Sequence, residues 1–150
     1  MFVPEFTREL LIILSGDSVG IPGGPWGGNM FGGSSKMLPD GSGPFLNIVE
    51  TGGTSPDNTQ KEVIVPAYQR PGAQIVVTAE SSPVAYDMAR RAYYSLVKIR
   101  NMWIGSGDVS ATGTWYRSIR PLQEPFDLGL GPKGRPRWAF NVLGDKRPTV

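Results

Sequence analysis

Apolar and polar positions along the chain follow two different periods, and the change from one to the other marks its elements. Between Tyr68 and Arg100 both occur in succession. Gln74-Ile75-Val76-Val77-Thr78-Ala79 is a β-branched run bounded by the turn-forming Arg70-Pro71-Gly72 and by Ser81-Ser82-Pro83, which predicts a strand. Val84, Met88, Ala92, Leu96 and Ile99 then recur at intervals of three or four, with Asp87, Arg90, Arg91, Tyr94 and Lys98 between them. That spacing predicts an amphipathic helix. Ser82 is placed to accept from the first-turn N–H groups and Pro83 suits the first helical position, so the helix should run from Pro83 to Arg100.

The same reading extends to both sides. Glu5 to Leu14 is apolar on nearly every side after Phe6 and is followed by Gly16, which predicts a short helix buried against the core or a neighbouring subunit. Phe45-Leu46-Asn47-Ile48-Val49-Glu50 reads as a strand ended by Thr51-Gly52-Gly53, and Val63-Ile64-Val65 as a weaker one interrupted by Pro66. Thr114 to Arg120 alternates large apolar with polar residues, a half-buried strand, and Trp138 to Leu143 is the last. Pro121 to Arg135 reads as a loop. The predicted fold is α+β: one main helix and a short N-terminal helix packed on a mixed or antiparallel sheet of four or five strands, with long Gly/Pro-rich loops.

Composition changes this picture in one respect. Glycine and proline supply 34 of 150 residues, and Ser15 to Pro44 gathers many of them into one tract that also carries Trp26, Met30 and Phe31. A stretch longer than about 15 residues is uncommon as a plain connection, and its bulky side chains point to a contact role. The length suits a single domain, residues 1–150, with its core at about 45–143 and the glycine-rich loop at 15–44. No apolar run approaches the roughly 18 residues that span a bilayer. Leu10 to Leu14 is too short, and too closely preceded by charge, for a signal peptide, so a soluble, unexported protein is expected.

The chain has no cysteine and no histidine. Their absence removes Ser-His-Asp and Cys-His catalysis, thiolate and H-E-x-x-H metal sites and the usual proton shuttle. Glu50, Glu62, Glu80 and Glu124 are scattered with no second residue at a catalytic spacing, so an enzyme is not expected, nor a cofactor. Gly129-Leu130-Gly131-Pro132-Lys133-Gly134 matches G-x-G-x-x-G but precedes a strand instead of opening a helix, which makes it a hairpin-type turn. Gly27 to Ser34 has the glycine spacing of a phosphate-binding loop but places Gly33 where the lysine belongs. Net charge is only +2, yet residues 1–89 hold four basic and nine acidic side chains, net −5, and residues 90–150 hold eleven and four, net +7. Such asymmetry favours head-to-tail contact between copies or an acidic partner. Basic residues also alternate with aromatics around Trp115-Tyr116-Arg117 with Arg120 and from Lys133 to Trp138, the composition of a nucleic-acid surface. A small total charge and strand positions suited to core burial weigh against that as the main role.

Four segments in order carry a family resemblance: Ile48-Val49-Glu50-Thr51-Gly52-Gly53; Tyr68 to Val77 with its Arg70-Pro71-Gly72-Ala73-Gln74; the helix from Pro83; and Gly134-Arg135-Pro136-Arg137-Trp138-Ala139-Phe140-Asn141-Val142. Over residues 45–143 the chain resembles the minor capsid or tail terminator proteins of long-tailed bacteriophages. The resemblance implies a structural virion protein of the neck. It would assemble as a ring, usually a hexamer, on the last tail-tube ring, stop tube growth and offer its other face to the head-completion or connector protein. Genomic DNA would pass through the lumen without sequence readout. Subunit and partner contacts are then expected from Trp26, Met30, Phe31, Glu50, Thr51, Arg70, Arg90, Arg91, Lys98, Arg135 and Arg137. A head-completion or connector ring protein on the capsid side is the alternative from the same setting, and a nucleic-acid-binding module the alternative from another class.

Overall fold

The computed structural model describes residues 5–16, 30–32, 43–53, 69–104 and 114–147. In chain order the elements are α1 (Glu5–Gly16), β1 (Met30–Gly32), β2 (Phe45–Glu50), β3 (Gly72–Thr78), α2 (Ser82–Val97), β4 (Arg100–Ile104), β5 (Thr114–Pro121), β6 (Phe126–Leu130) and β7 (Pro136–Lys146). All strands join one sheet in the order β1-β2-β3-β7-β5-β4, with β6 also on β7. β1 runs parallel to β2 and every other pair is antiparallel. The class is α+β, as the patterning predicts, but among the described residues the sheet has seven strands where four or five are expected.

β7 organises the sheet. One edge pairs with β3 from Arg137 to Leu143. The other pairs first with β6, from Pro136 to Ala139, and then with β5, from Val142 to Lys146. β5 and β6 are therefore one interrupted line of chain along β7. Between them Leu122 N–H donates to the Asn141 carbonyl (2.8 Å) and Asn141 N–H to Gln123 Oε1 (3.1 Å), so Asn141 keeps its partners across the gap.

The three additional strands are short or lack an apolar alternation of their own. β4 exposes four of its five residues, and β6 carries Gly129 at a register shift. Neighbours hold them, not their own propensity. The predicted Val63 to Val65 strand, the Thr54 to Gln60 excursion and the Gly105 to Asp108 turn lie outside the described residues. The Gly129 to Gly134 segment is a hairpin-type connection from β6 to β7, with Lys133 (φ 62°) and Gly134 (φ 69°) left-handed in its tight turn.

Both helices pack on one face of the sheet and share its core. α2 buries Ala85, Met88, Ala89, Ala92, Ser95 and Leu96, and its three alanines leave little side chain between helix and strands. Val84, expected on the buried side, is 45% exposed. The helix stops at Val97 with Lys98 as its C-cap, short of the expected Arg100, so that Arg100 can enter β4. At its start Ser81, not Ser82, is the N-cap, and it makes no side-chain cap bond. Ser82 Oγ instead accepts from the Trp138 indole N–H at 3.0 Å, tying the helix to β7. α1 buries Phe6, Leu10, Leu11, Ile13 and Leu14. It lies so close to β7 that a Cβ at Gly144 would stand 2.9 Å from the Phe6 ring, a separation that only glycine permits.

Candidate interaction surface

Glu9 turns inward from α1 and is 1% exposed, yet it is not isolated. The Tyr116 hydroxyl donates to Glu9 Oε1 at 2.7 Å, and Lys146 Nζ stands 3.6 Å from the same oxygen. Register explains the meeting: Tyr116 and Lys146 are cross-strand partners, so both side chains leave the sheet on the helix side. A buried charge survives only with such partners. The cluster joins α1, β5 and β7 and faces no solvent, which makes it an internal anchor. Spacing along the chain does not single out its members, because Glu9 and Tyr116 lie 107 residues apart.

Several expected contact residues serve the protomer itself. Glu50 Oε1 accepts from Thr7 N–H (3.2 Å) and Thr7 Oγ1 (3.3 Å), closing the first turn of α1 with a carboxylate. Thr51 N–H donates to the Gly72 carbonyl at 2.9 Å, and Gly144 N–H to the Pro71 carbonyl at 2.8 Å. A Cβ on Gly53 (φ 69°) would collide with the Arg70 carbonyl, so the Thr51-Gly52-Gly53 turn lies flat against Arg70-Pro71-Gly72. Arg135 is buried, with its guanidinium 5.1 Å from the centre of the Phe45 ring. Arg137 reaches along the β6–β7 connection to the Leu128 and Leu130 carbonyls, each at 3.4 Å, and packs on Gly131.

Arg90, Arg91 and Lys98 are outward. Arg90 sits on the exposed side of α2 between Tyr86 and Tyr94, donating to the Tyr94 hydroxyl at 2.9 Å and lying 5.5 Å from that ring centre. The Tyr94 hydrogen bond, with Tyr86 beside it, holds the Arg90 guanidinium above its ordinary value. Arg91 pairs with Asp87 one turn back at 3.1 Å, and Lys98 is exposed at the helix end. Tyr86 stacks edge-on against Trp138 at 4.7 Å, so the tyrosine–arginine stripe is braced from the sheet. Met30 and Phe31, in β1, pair through their backbones with Leu46 and Asn47 of β2; Trp26 lies outside the described residues.

A second outward group occupies the sheet face away from the helices. Trp103 and Trp115 are cross-strand partners whose rings meet edge-on at 5.6 Å, and the Arg147 guanidinium lies over both, 5.4 Å from the Trp115 ring centre. Arg100 is opposite Ser118, which is opposite Asp145. Arg117 meets that aspartate through Nε at 2.8 Å. Arg120, two residues beyond Ser118, shares this face. Part of the group is visible in the sequence as Trp115, Arg117 and Arg120. Arg100, Trp103 and Arg147 join it only through β4 and through the far end of β7, neither of which the patterning reveals.

Across the whole sheet, β1–β3 come from the acidic first part of the chain and occupy one end, while β7, β5 and β4 come from the basic second part and occupy the other. Among the described residues no helix is long and apolar enough to cross a membrane. Set against known proteins, the chain matches no family model and no curated sequence.

Proposed function

We propose that this chain is a structural protein of the bacteriophage neck: a tail terminator that forms a ring, usually a hexamer, capping the tail tube and joining it to the head-completion or connector protein. One observation carries the reading. The strand and turn segments on which the resemblance rests are distant in sequence, yet they converge as the adjacent strands β2, β3 and β7. Their turns are packed on one another through Thr51 N–H to Gly72 and Gly144 N–H to Pro71. A set of short motifs that meets at one place is what a shared fold unit would produce, whereas chance matches would scatter.

The opposite net charges of residues 1–89 and 90–150 suit head-to-tail contacts, because a ring closes through two different surfaces of each copy. The braced stripe of Tyr86, Arg90 and Tyr94 has the residue types that dominate binding energy at protein interfaces, already held in place before a partner arrives. On this reading it meets a neighbouring copy or an axial partner.

Electron microscopy of purified protein mixed with tail tubes tests the proposal. Rings seated on tube ends are expected, together with tubes of uncontrolled length when the protein is omitted from assembly. A protein that stays monomeric beside tail tubes, and whose deletion leaves tube length controlled, overturns it. Seating on tailless heads instead of tubes would place the ring on the capsid side and refute the terminator role.

A further inference from the structure

The sheet face away from the helices holds a group of cations that neither α2 nor the convergent turns account for. Arg100, Arg117, Arg120 and Arg147 all lie on it and all are exposed. Asp145, the acidic group placed among them, is engaged by Arg117. Four arginines against one aspartate give this small area a charge of +3, more than the +2 of the entire chain. Among the described residues no carboxylate stands against Arg100, Arg120 or Arg147.

Like charges gathered on a rigid surface repel one another, and an anionic ligand relieves that repulsion. The layout narrows the ligand. Arg117 and Arg120 come from β5, Arg100 stands beside them on β4 opposite Ser118, and Arg147 follows β7 and lies over the two tryptophans. Neighbouring strands are about 4.8 Å apart, so the cations form a compact patch across three strands. Trp103 is 37% exposed at the edge of that patch, where it offers a π-surface. A cationic patch with an exposed aromatic at its edge suits a single nucleic-acid strand, whose phosphates meet the arginines while an unstacked base meets the tryptophan. A duplex would present a convex cylinder to this face with its bases hidden.

We propose that the Arg100, Arg117, Arg120 and Arg147 face binds single-stranded nucleic acid through its phosphates, without sequence readout. The proposal stands apart from the neck assignment, since it depends only on this face.

Fluorescence anisotropy with a labelled single strand of about 20 nucleotides, and with the matching duplex, tests it across a salt series. Wild-type protein should bind the single strand more tightly, with affinity falling steeply as salt rises. Arg120→Glu together with Arg100→Glu should weaken binding about tenfold or more at low salt and flatten the salt slope by about 0.7 for each arginine lost. R8E changes the net charge as much as R120E does, but on α1, and should leave binding unchanged. Circular dichroism and melting verify that each variant folds; R120Q replaces R120E should the reversal prevent folding. The proposal is overturned by absence of binding, by preference for the duplex, or by equal losses in R8E and R120E. It is equally overturned if R100E/R120E keeps full affinity. An oligomer lost in R100E/R120E, with no nucleic acid retained by the wild type, assigns the face to a protein contact.

Discussion

Glu9, Tyr116 and Lys146 illustrate how a residue's role depends on what meets it. The segment Glu5 to Leu14 is apolar on nearly every side, and within it the Glu9 carboxylate is buried where a phenol and an ammonium meet it. Removing the hydroxyl with Tyr116→Phe is expected to cost about 1–2 kcal/mol, because Lys146 still faces the carboxylate. Glu9→Gln removes the carboxylate charge that faces the buried Lys146 ammonium and should cost about 3 kcal/mol. Urea unfolding measures both, and equal losses would mean that the countercharge matters no more than the phenol. Gly53→Ala should be destabilising by more than about 1 kcal/mol, since it adds a left-handed penalty to a collision with the Arg70 carbonyl. Arg90 behaves differently. Its pKa is raised in the folded protein by the Tyr94 hydrogen bond, so its contribution is fully present below the unfolded arginine pKa and is lost only as pH rises through the still higher folded value. Arg90 should therefore give stability no pH dependence near neutrality, which melts of wild type and Arg90→Gln across about pH 5–9 would show as a constant difference. The Glu9 cluster is illegible in sequence because each of its contacts is set by register, which no local window contains.

At the scale of elements, legibility follows apolar content. α1, α2, β2, β3, β5 and β7 all carry enough apolar residues in period to be read directly, with ends displaced by a few residues. β4 and β6 do not: Arg100-Asn101-Met102-Trp103 is exposed throughout, and Phe126-Asp127-Leu128-Gly129-Leu130 is broken by a bulge. Such strands are recruited by a neighbour's open edge, which is a tertiary cause. The helix boundary at Val97 has the same origin, because Arg100 is drawn into pairing with β5 opposite Ser118. α1 is attached through its apolar side, the Glu9 anchor and the Glu50 contact to Thr7, all dependent on its closeness to Gly144. Truncating Phe6 to alanine should then cost about 3 kcal/mol. Hydrogen exchange should also speed up in α1 well before it does in β7; uniform acceleration of both would mean that α1 is not a separable unit.

For the molecule as a whole, the opposite net charges of residues 1–89 and 90–150 give the proposed ring a measurable property. Contacts between oppositely charged surfaces of successive copies should weaken as ionic strength rises, since exposed charges are screened beyond about 8–10 Å at moderate salt. Sedimentation at low and high salt would register this as a shift from ring to smaller species, and a salt-independent ring would place its energy in apolar contact such as the Tyr86 and Tyr94 stripe. The fold class is legible in the sequence because it depends on the count and order of strong elements. The charged sheet face is legible only in part, because Arg100 and Trp103 arrive on a strand that no pattern announces.

β7 is flanked by β3 on one side and by the β6–β5 line on the other, and it follows both in the chain, so it is synthesised after them. The two halves of the sheet therefore cannot meet while the chain is still emerging through β6. Every nascent molecule must carry an unclosed apolar face, including Ile75, Val77 and Tyr116, until residues 136–146 leave the ribosome. Released chains that end before Pro136 should be cut readily by protease and bound by chaperones, and released chains that include residues 136–146 should resist both. The two halves of the described sheet thus become one surface only when β7 is present to pair with both.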